Sequence, residues 1–433
     1  MIKKLVLVFI ALVALVSYGQ EGTASPYSFY GIGSLKFKGT VENRSMGGIS
    51  VFIDSVHVNL RNPASYATKN IAGWNSESRP VKFAVGGSFT STGLKTESET
   101  ENASSTTFDY MAISIPMGKF GFGFGLLPYT SVGYKLESLN DDGDLQNRFR
   151  GEGGLNKAFF GLGYRIVDGL SIGVDAHYNF GNIQNSVVEY IYDNGLLVQN
   201  QSRESNRSDL SGLSFNIGAS YTTKISDKLE LATTITYTPE SEIVSKNERS
   251  VSTITTSSTG QEFASNTVEI DLEALGLLET DLVLPSKTSF GLGIGKPRQW
   301  FLGAEYTTQK TSDFSNPLYS SSSIVYEDAS TISFGGFYIP DYNSIDNFLK
   351  RTVYRAGLRY ENTGLVINTE SINEFGISFG VGLPLKGGIS SANLGIEVGK
   401  RGTTNSNLIE ENFINLQLSL SLGDRWFQKR KYN

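Results

Sequence analysis

Hydrophobic and polar residues alternate along most of the chain, and two stretches show this most clearly. In Phe120–Gly125 each phenylalanine is followed by a glycine, and in Leu416–Leu422 the leucines are separated by Gln417, Ser419 and Ser421. Successive side chains of a β-strand point to opposite faces. Each stretch therefore predicts a strand with one apolar face and one small or polar face.

The longest alternating stretch is Asn156–Asn182, in which a second run follows the first after Val167-Asp168-Gly169. An Asp-Gly pair between two alternating runs is typical of a tight hairpin turn. We therefore predict a hairpin with one apolar and one polar face. The apolar face must be covered either by another layer of the protein or by a membrane.

The same pattern starts at Val81 and continues nearly to the C-terminus without a helix to cover it. We count fourteen strands, near residues 81–93, 106–117, 119–134, 156–167, 169–190, 211–224, 228–243, 281–295, 299–311, 328–339, 352–361, 373–384, 391–400 and 411–422. Tight turns alternate with long segments rich in serine, threonine, asparagine and glutamate. One turn, 340–351, is longer and predicts a helical turn.

An even number of alternating strands, with short turns at one end and long loops at the other, is typical of an outer-membrane β-barrel. In a bilayer every backbone N–H and C=O must be paired within the protein, and a closed sheet has no unpaired edge. We therefore predict an all-β fold, a 14-stranded antiparallel transmembrane β-barrel over residues 81–422. Four aromatic residues, Tyr129, Tyr134, Trp300 and Trp426, predict girdles at the bilayer interfaces.

The alternative is a large secreted β-sandwich or repeat array. Its turns would not segregate by length, and its outer faces would be more charged than this composition allows. Only 18% of the 433 residues are charged, against about 25% in soluble domains. The net charge of −6, with positive charge only scattered, argues against a nucleic-acid partner.

Residues 20–80 carry turn signals in place of alternation, apart from one short run at Val51–Val58. About eight strands suffice for the side chains of a barrel to fill its own interior, so fourteen leave a lumen that needs a plug or becomes a channel. We expect residues 20–80 to form that plug, an N-terminal hatch.

The two ends of the chain predict export and a periplasmic tail. Lys3 and Lys4, the apolar run Leu5–Val16 and the small-residue exit Ser17–Gly19 predict a secretory signal peptide over residues 1–19. An uncleaved anchor helix would need about 20 apolar residues. With no cysteine in the chain, a lipoprotein anchor and disulfides are excluded. The basic tail, residues 423–433, predicts contact with anionic head groups or a periplasmic partner, or an inert solvated end.

In each strand, alternate residues share a face, and we call each such set a parity. Charged residues of both signs lie on the parity that is predicted to face the lumen. These candidates are Arg165, Asp175, His177, Glu305, Arg355, Arg359 and Glu397. One interpretation is a salt-bridge network that braces the barrel and orients the plug; the other is a polar conduit for a solute. Arg355 and Arg359 face the same side, an arrangement suited either to a carboxylate head group or to neutralising Glu397 or Glu305.

No catalytic, metal or cofactor site is predicted. His57 and His177 are the only histidines, and nothing fixes either of them beside a serine and an orienting residue, as a hydrolase requires. The acidic stretch Asn140–Asp144 lacks the glutamate spacing of an EF-hand loop and is better interpreted as a solvated loop tip. We therefore expect no enzymatic activity and no cofactor.

Short motifs carry a resemblance to a known family. Arg44–Gly48 and Asn62-Pro63-Ala64 resemble the glycine-rich start and the Asn-Pro-Ala box of the long-chain fatty-acid transporter (FadL) family of outer-membrane proteins. Leu284–Gly291 is similar to that family's Leu-Pro start of a late strand. Gly399–Thr403 and the C-terminal residues 424–431 look like the version found in Bacteroidota.

The resemblance implies a 14-stranded barrel closed by an N-terminal hatch, with hydrophobic compounds bound inside and released sideways into the membrane. It places Asn62, Pro63 and Ala64 in the hatch, with Gly47 and Gly48 in its glycine-rich start. The implied partners are membrane lipid and a hydrophobic small molecule.

Two hypotheses for function remain open. The first is passive uptake through the outer membrane of hydrophobic or amphipathic small molecules such as long-chain fatty acids, gated by the hatch. The second is a non-transporting accessory barrel subunit of a larger outer-membrane protein complex, in barrel-assembly or type IX secretion machinery. In that case the polar lumen, the long loops and the basic tail would serve partner proteins.

Overall fold

A computed structural model describes residues 22–67, 80–257, 261–318, 324–385 and 389–424. The predicted signal peptide (1–19), Trp426 and nearly all of the predicted tail lie outside the described residues. The strands are β1 (Ser34–Leu35), β2 (Val81–Lys95), β3 (Thr100–Met117), β4 (Phe120–Pro128), β5 (Thr130–Leu139), β6 (Leu145–Val167), β7 (Leu170–Glu189), β8 (Tyr192–Asp193), β9 (Leu196–Leu197), β10 (Gln201–Lys224), β11 (Glu230–Thr238), β12 (Ser241–Thr256), β13 (Glu262–Glu269), β14 (Glu279–Leu284), β15 (Lys287–Lys296), β16 (Trp300–Gln309), β17 (Ile324–Tyr326), β18 (Ala329–Tyr338), β19 (Val353–Ile367), β20 (Glu370–Pro384), β21 (Ser391–Arg401) and β22 (Glu410–Asp424). The helices are α1 (Val41–Arg44) and α2 (Phe348–Arg351), with 3-10 turns at Pro26–Phe29, Pro63–Tyr66, Thr311–Asp313 and Asn405–Asn407.

The sheet closes on itself. The first and last long strands, β2 and β22, pair antiparallel along their whole length, from Val81 opposite Asp424 to Lys95 opposite Glu410. Three of the spanning strands consist of two segments each, namely β4–β5, β11–β12 and β14–β15, so the wall contains fourteen strands. The predicted 14-stranded antiparallel barrel is confirmed.

The two faces of the wall differ as the alternation predicts. On β10 the outward side chains of Leu213, Phe215 and Ile217 are 59%, 48% and 50% exposed, whereas the inward Ser214 and Asn216 are 1% and 7% exposed. An apolar outer belt around a polar interior is the pattern of a barrel that lies in lipid. Among the described residues, no helix has the length and apolarity required to cross a membrane.

Three prolines interrupt the wall, and each reverses the parity of its strand. Pro128, Pro239 and Pro285 separate the two segments of the three composite strands. Proline cannot donate a ladder hydrogen bond and is therefore found at strand ends and bulges. On β4 the odd-numbered residues face inward, whereas on β5 the even-numbered residues do.

This reversal corrects two of the predicted girdle aromatics. Tyr134 is 5% exposed and Tyr129 is partly buried, and both pack in an apolar cluster on the luminal side of the wall. Trp300 lies on the outward parity of β16, beside the exposed Leu302, as an interface girdle requires.

The turns and loops define the two ends of the barrel. At one end the connections are short, as at Asp168–Gly169 between β6 and β7, where Gly169 has φ +91°. At the other end β6 and β10 run to 23 and 24 residues, about twice the 9–11 residues that cross a bilayer. In outer-membrane barrels the short turns are periplasmic and the long loops extracellular, and we name the ends accordingly.

Candidate functional site

Residues 22–67, here called the luminal segment, run through the barrel from its extracellular to its periplasmic end. The Tyr27 hydroxyl donates a hydrogen bond of 2.6 Å to the carbonyl oxygen of Ile409, just before β22 at the extracellular end. At the periplasmic end, the Ser421 hydroxyl donates a hydrogen bond of 2.9 Å to the carbonyl oxygen of Val56. Val51–Val58, which the sequence suggested as a strand, is irregular. The lumen is therefore occupied along its length.

Between these ends, the glycine-rich start of the segment passes very close to the wall. Gly47 has φ +69°, and a Cβ at this position would lie 2.5 Å from the Leu358 carbonyl oxygen on β19. The Gly47 N–H donates to the Ser378 hydroxyl at 2.9 Å. Gly48 has φ +89°, but a Cβ there would meet nothing closer than 3.8 Å. Gly47 is therefore required for close approach and for backbone conformation, and Gly48 for conformation only.

A cluster of buried charges, here called the ion network, ties the luminal segment to one wall. Its members are Lys38 and Arg44 of the segment and Asp109, Arg359, Glu361, Glu374, Glu397 and Arg401 of the wall. At its centre the Glu374 carboxylate accepts from Lys38 Nζ at 2.6 Å and also binds Arg359 and Arg401. Its side chain is only 1% exposed. The buried Glu411 carboxylate, 3.6 Å from Arg401, joins the network at its edge, so four cations face five carboxylates.

The predicted residues Arg359 and Glu397 belong to this network and contact each other at 2.7 Å. Arg44 contacts Glu397 at 3.3 Å and Asp109 at 3.4 Å. Arg355, although buried beside them, donates to the Asn393 side chain at 3.2 Å and does not share a carboxylate with Arg359.

Glu374 was not among the luminal residues predicted from the sequence, although its signal was present. Glu374 lies on β20 with the same parity as Gly376, Ser378 and Gly380, and that parity faces the lumen. Selecting charged residues on the lumen-facing parity, which identified Arg359 on β19, would also have identified Glu374. Lys38 and Arg44 had no such signal because the luminal segment lacks a periodic pattern.

Glu305 forms a second, smaller contact between the segment and the wall. Its carboxylate accepts from the backbone N–H and the hydroxyl of Ser50, both at 2.8 Å, and pairs with Arg61 at 2.6 Å. Hydrogen bonds to a charged acceptor are stronger than neutral ones. Glu305 therefore fixes the segment to β16, on the side of the lumen next to the ion network.

The Asn62-Pro63-Ala64 motif forms a 3-10 turn that is pressed against the opposite wall. The Asn62 side chain caps the turn by accepting from the Ala64 N–H at 3.0 Å, and it donates to the Ala219 carbonyl oxygen on β10 at 3.1 Å. A Cβ at Gly173 on β7 would lie 2.5 Å from the Pro63 carbonyl carbon. The motif is therefore held by shape and by neutral hydrogen bonds.

The remaining predicted luminal residues lie on this second wall without a common contact. Asp175 is 1% exposed, and both it and Tyr66 approach Gly161 on β6. His177 is half-buried, edge-on to Phe159 with ring centroids 6.3 Å apart. Arg165 is half-buried near the periplasmic end of β6. The structure does not bring these three residues together into one site.

At the periplasmic end His57 lies between two carboxylates. Its Nδ1 is 2.6 Å from Asp54, and its Nε2 is 3.6 Å from Glu42. Burial opposes the charged imidazolium, but the two carboxylates more than offset burial, so the pKa of His57 lies above its ordinary value. Burial likewise opposes ionisation of Asp54, yet the nearby His57 and Lys82 hold the pKa of Asp54 well below its usual range.

The wall has a gap beside Pro128, here called the lateral window. Residues 100–110 of β3 pair with β2 on one edge, and in the described part of the chain no strand pairs with the other edge. After the Pro128 break, β5 pairs with β6 and with the short β1 of the luminal segment. A cavity of about 530 Å³ opens there, lined by residues such as Thr106, Ser131 and Gly153.

A smaller cavity of about 180 Å³ lies near the extracellular end of the lumen. Aromatic side chains line it, among them Tyr27, Tyr30, Tyr129, Phe314 and Tyr326, together with Lys287. Drug-sized ligand pockets usually measure about 300–1,000 Å³. This cavity is therefore too small for a long acyl chain unless the surrounding side chains move.

The acidic stretch 140–144 forms the loop tip that the sequence indicated. The Asn140 side chain accepts from the N–H groups of Asp142 at 3.0 Å and Asp144 at 2.8 Å. Within the described ranges, no group of three or more histidine or acidic side chains is arranged to hold a metal ion.

A family model described as BamG matches residues 1–433, the entire chain. The chain belongs to the BamG family. No curated protein matches this BamG-family chain. The family shown is therefore BamG, and the membership of the FadL family that the short motifs suggested is not confirmed.

Solved structures with the same fold cover most of the chain. The CymD monoaromatic hydrocarbon channel superposes with a TM-score of 0.55 at 13% identity, covering 89% of this chain and 98% of that one. The Ralstonia pickettii toluene transporter TbuX gives 0.55 at 14% identity, covering 88% and 97%. A Pseudomonas aeruginosa FadL homologue gives 0.54 at 12% identity, covering 90% and 98%. At these identities the likeness shows a shared outer-membrane barrel fold.

Proposed function

We propose that this protein is a non-transporting barrel subunit of a barrel-assembly machine in the outer membrane of a Gram-negative cell. The observation that carries the proposal is the ion network, which fastens the luminal segment to the wall across the middle of the barrel. Glu374 and Arg359, its central residues, have side chains that are 1% and 7% exposed. In this interpretation the segment is a permanent part of the barrel interior.

The energetics support a fixed segment. Removing one partner of a buried ion pair costs about 3–5 kcal/mol, because it leaves an uncompensated charge in a low-dielectric site. Withdrawal of Lys38 and Arg44 from the lumen would leave Glu374 and Glu397 each short of a cation. Opening an axial conduit by moving the segment therefore requires a free energy that a passive solute does not supply.

The family supports the same conclusion. BamG shares its prefix with the subunits of barrel-assembly machinery, and the family model spans the chain from end to end. A subunit of such a machine needs a stable outer-membrane barrel and surfaces for partners. Strands of 23 and 24 residues extend well past the bilayer on the extracellular side and supply such a surface.

The test is purification of the tagged, full-length protein from its native outer membrane in a gentle detergent. We expect a large assembly that contains the central insertase barrel of the machine, identified by mass spectrometry. A second tagged preparation carrying Glu374→Gln tests whether the locked lumen is needed for assembly. A protein that runs alone as a monomer in several gentle detergents would contradict the proposal.

A second candidate is a channel for hydrophobic small molecules such as long-chain fatty acids, gated by residues 20–80 as a hatch. The lateral window favours it, because the 530 Å³ cavity beside Thr106 and Ser131 lies at a gap in the wall. The solved barrels with this fold include a toluene transporter and a monoaromatic hydrocarbon channel. A solute would leave sideways here past β3, where Asp109 pairs with Arg44 at the edge of the ion network.

Narrowing the window separates the two candidates. Thr106→Trp places a large side chain at the window, and Thr308→Trp makes the same change on β16, away from it. If the protein is a channel, uptake of a labelled fatty acid and of toluene falls only in the Thr106→Trp variant. Deletion of Asn62–Ala64 tests the hatch in the same assay. Equal uptake in all variants and in cells without the protein would exclude transport.

A further inference from the structure

One periplasmic turn differs from the others in length and in what it exposes. Residues 341–351, here called the foot loop, join β18 to β19 and contain α2. Its apolar side chains point away from the protein: Ile345 is 90% exposed, Leu349 63% and Phe348 44%. A contiguous set of exposed apolar side chains usually marks an interaction surface or a contact with membrane.

The position of the foot loop identifies what covers these side chains. Trp300, Tyr338 and Tyr354 are cross-strand neighbours in register on β16, β18 and β19, and all three have outward parity at the periplasmic end. Tryptophan and tyrosine in this position form the girdle at the level of the lipid head groups. The row therefore marks the inner interface of the bilayer on this side of the barrel.

A hydrogen bond fixes the foot loop to this row. The Tyr354 hydroxyl donates to the carbonyl oxygen of Leu349 at 3.2 Å. Since Tyr354 faces lipid, α2 lies against the outer surface of the wall and not beneath the barrel mouth. The Asp341 N–H, which donates to the Lys350 carbonyl oxygen at 2.8 Å, closes the loop on itself.

Three cations surround the apolar side chains. Arg298, in the adjacent turn, stacks over the Tyr342 ring at 5.0 Å, and Arg351 stacks over Phe348 at 5.7 Å. Lys350 lies between Leu349 and Arg351 in the last turn of α2. Arg351 Nε is buried and has no hydrogen-bond partner among the described residues. Asp341 and Asp346 are the acidic residues of the loop, so with Lys350, Arg351 and the adjacent Arg298 the net charge of this surface is +1.

We propose that the foot loop is a lipid-binding site, which inserts Ile345, Phe348 and Leu349 into the inner leaflet and binds phosphates of anionic phospholipids through Arg298, Lys350 and Arg351. Apolar side chains flanked by basic ones bind at a bilayer interface through buried area and attraction to anionic lipids. The loop thereby fixes the depth of the barrel on the side of β16, β18 and β19. The proposal is independent of the function proposed above.

Because the chain has no cysteine, a single nitroxide label reports the position of the loop without background. The labelled variants are Ile345→Cys in the foot loop, Phe334→Cys on the lipid-facing wall and Leu196→Cys in an extracellular hairpin. Each is reconstituted as the full chain in nanodiscs of phosphatidylethanolamine and phosphatidylglycerol. The ratio of collision with oxygen to collision with a water-soluble nickel chelate measures immersion in lipid.

We expect the ratio at residue 345 to be several-fold higher than at residue 196 and to approach that at residue 334. A ratio equal to that at residue 196 would overturn the proposal. The label at residue 345 could instead stay in water in nanodiscs and become immobilised and shielded in the native assembly. In that case the foot loop binds a periplasmic protein, and the proposal is likewise overturned.

The cations are tested separately in the Ile345→Cys background. Replacing Arg298, Lys350 and Arg351 together with glutamine, or replacing phosphatidylglycerol with phosphatidylcholine, should each shift the label towards water. If neither change alters the ratio, anionic head groups are not bound and that part of the proposal fails. Heat-modifiable migration on gels verifies that each variant barrel is folded.

Discussion

The luminal segment meets the two sides of the barrel through different chemistry. On the side of β19, β20 and β21 it is held by buried charges centred on Glu374. On the side of β6, β7 and β10 it is held by close contact between the Asn62–Ala64 turn and wall glycines such as Gly173. Charge pairing fixes one orientation, and removing one buried partner costs about 3–5 kcal/mol, whereas overpacking of a close contact costs about 1–3 kcal/mol.

The difference also indicates where the barrel can respond to a ligand. The lateral window lies between β3 and β5, and the strand next to it is interrupted by Pro128. Of the ion network, only Asp109 lies on β3 at the window, whereas the central Arg359, Glu374 and Glu397 lie on other strands.

Glu374→Gln should loosen the luminal segment around Lys38 while the barrel stays closed. Three cations lose a buried carboxylate, and a broken buried pair costs about 3–5 kcal/mol. Limited proteolysis should cut within residues 22–67, and gel migration should remain that of a folded barrel. The control is Glu410→Gln, whose partner Lys400 at 2.7 Å is 54% exposed, so about 0–1 kcal/mol is expected. Equal protection of both variants would disprove the charge lock.

Gly173→Ala should weaken the shape contact on the second wall. Its Cβ would lie 2.5 Å from the Pro63 carbonyl carbon and 2.6 Å from the Ala64 nitrogen, and overpacking of this kind costs about 1–3 kcal/mol. Gly93→Ala is the matched control, since a Cβ there meets nothing closer than 3.6 Å. Hydrogen exchange of residues 62–67 should rise in the first variant only. A similar rise in both would refute the close contact as its cause.

Asn62→Ala should remove the cap of the 3-10 turn and one hydrogen bond to β10. Loss of an asparagine cap costs about 1 kcal/mol. We expect faster exchange of the Ala64 amide, with the ion network unaffected as judged by protease protection of residues 38–48. Unchanged exchange at Ala64 would show that the glycine contacts alone hold the turn.

The smallest effect concerns pH at the periplasmic end. The raised pKa of His57 means that its ion pair contributes fully below the unfolded value of about 6.5 and is lost as pH rises through the folded pKa. The lowered pKa of Asp54 means that its contribution is present above about 3.9 and is lost in acid. Protection of residues 54–58 should therefore decline from pH 5.5 to pH 8.5.

Replacing His57 with glutamine should abolish this decline, whereas His177→Gln should leave it unchanged. The charged groups that face His57 are Asp54, Glu42, Lys82 and Arg355. A decline that persists in the His57 variant would assign it to another group.

The sequence predicted the wall well and its interruptions poorly. Alternation predicted the fourteen strands and their two faces, because successive side chains of a strand point to opposite sides of the sheet. The parity reversal at Pro128 moved Tyr129 and Tyr134 from the expected girdle to the lumen. Proline was visible in the sequence, but whether a strand continues through it depends on which neighbours remain paired.

The site was predicted only in part, for a related reason. Arg359, Glu397 and Glu305 were chosen by parity, yet their partners Lys38, Arg44 and Arg61 lie in a segment without periodicity. Asp175, His177 and Arg165 had the same parity signal but share no partner among the residues that the structure describes. Parity predicts the face of the sheet to which a side chain points, but it does not predict which residue the side chain contacts.

By itself, the sequence determined that this chain closes into a lipid-facing barrel with an irregular segment of the right size to fill it. Only the tertiary structure decided how the segment docks, since Arg44 and Glu397 lie 353 residues apart and no local pattern links them. The physical reason is that strand alternation is set by neighbouring residues and the solvent outside. A buried ion pair depends on which residues, distant in the sequence, the complete fold brings into contact.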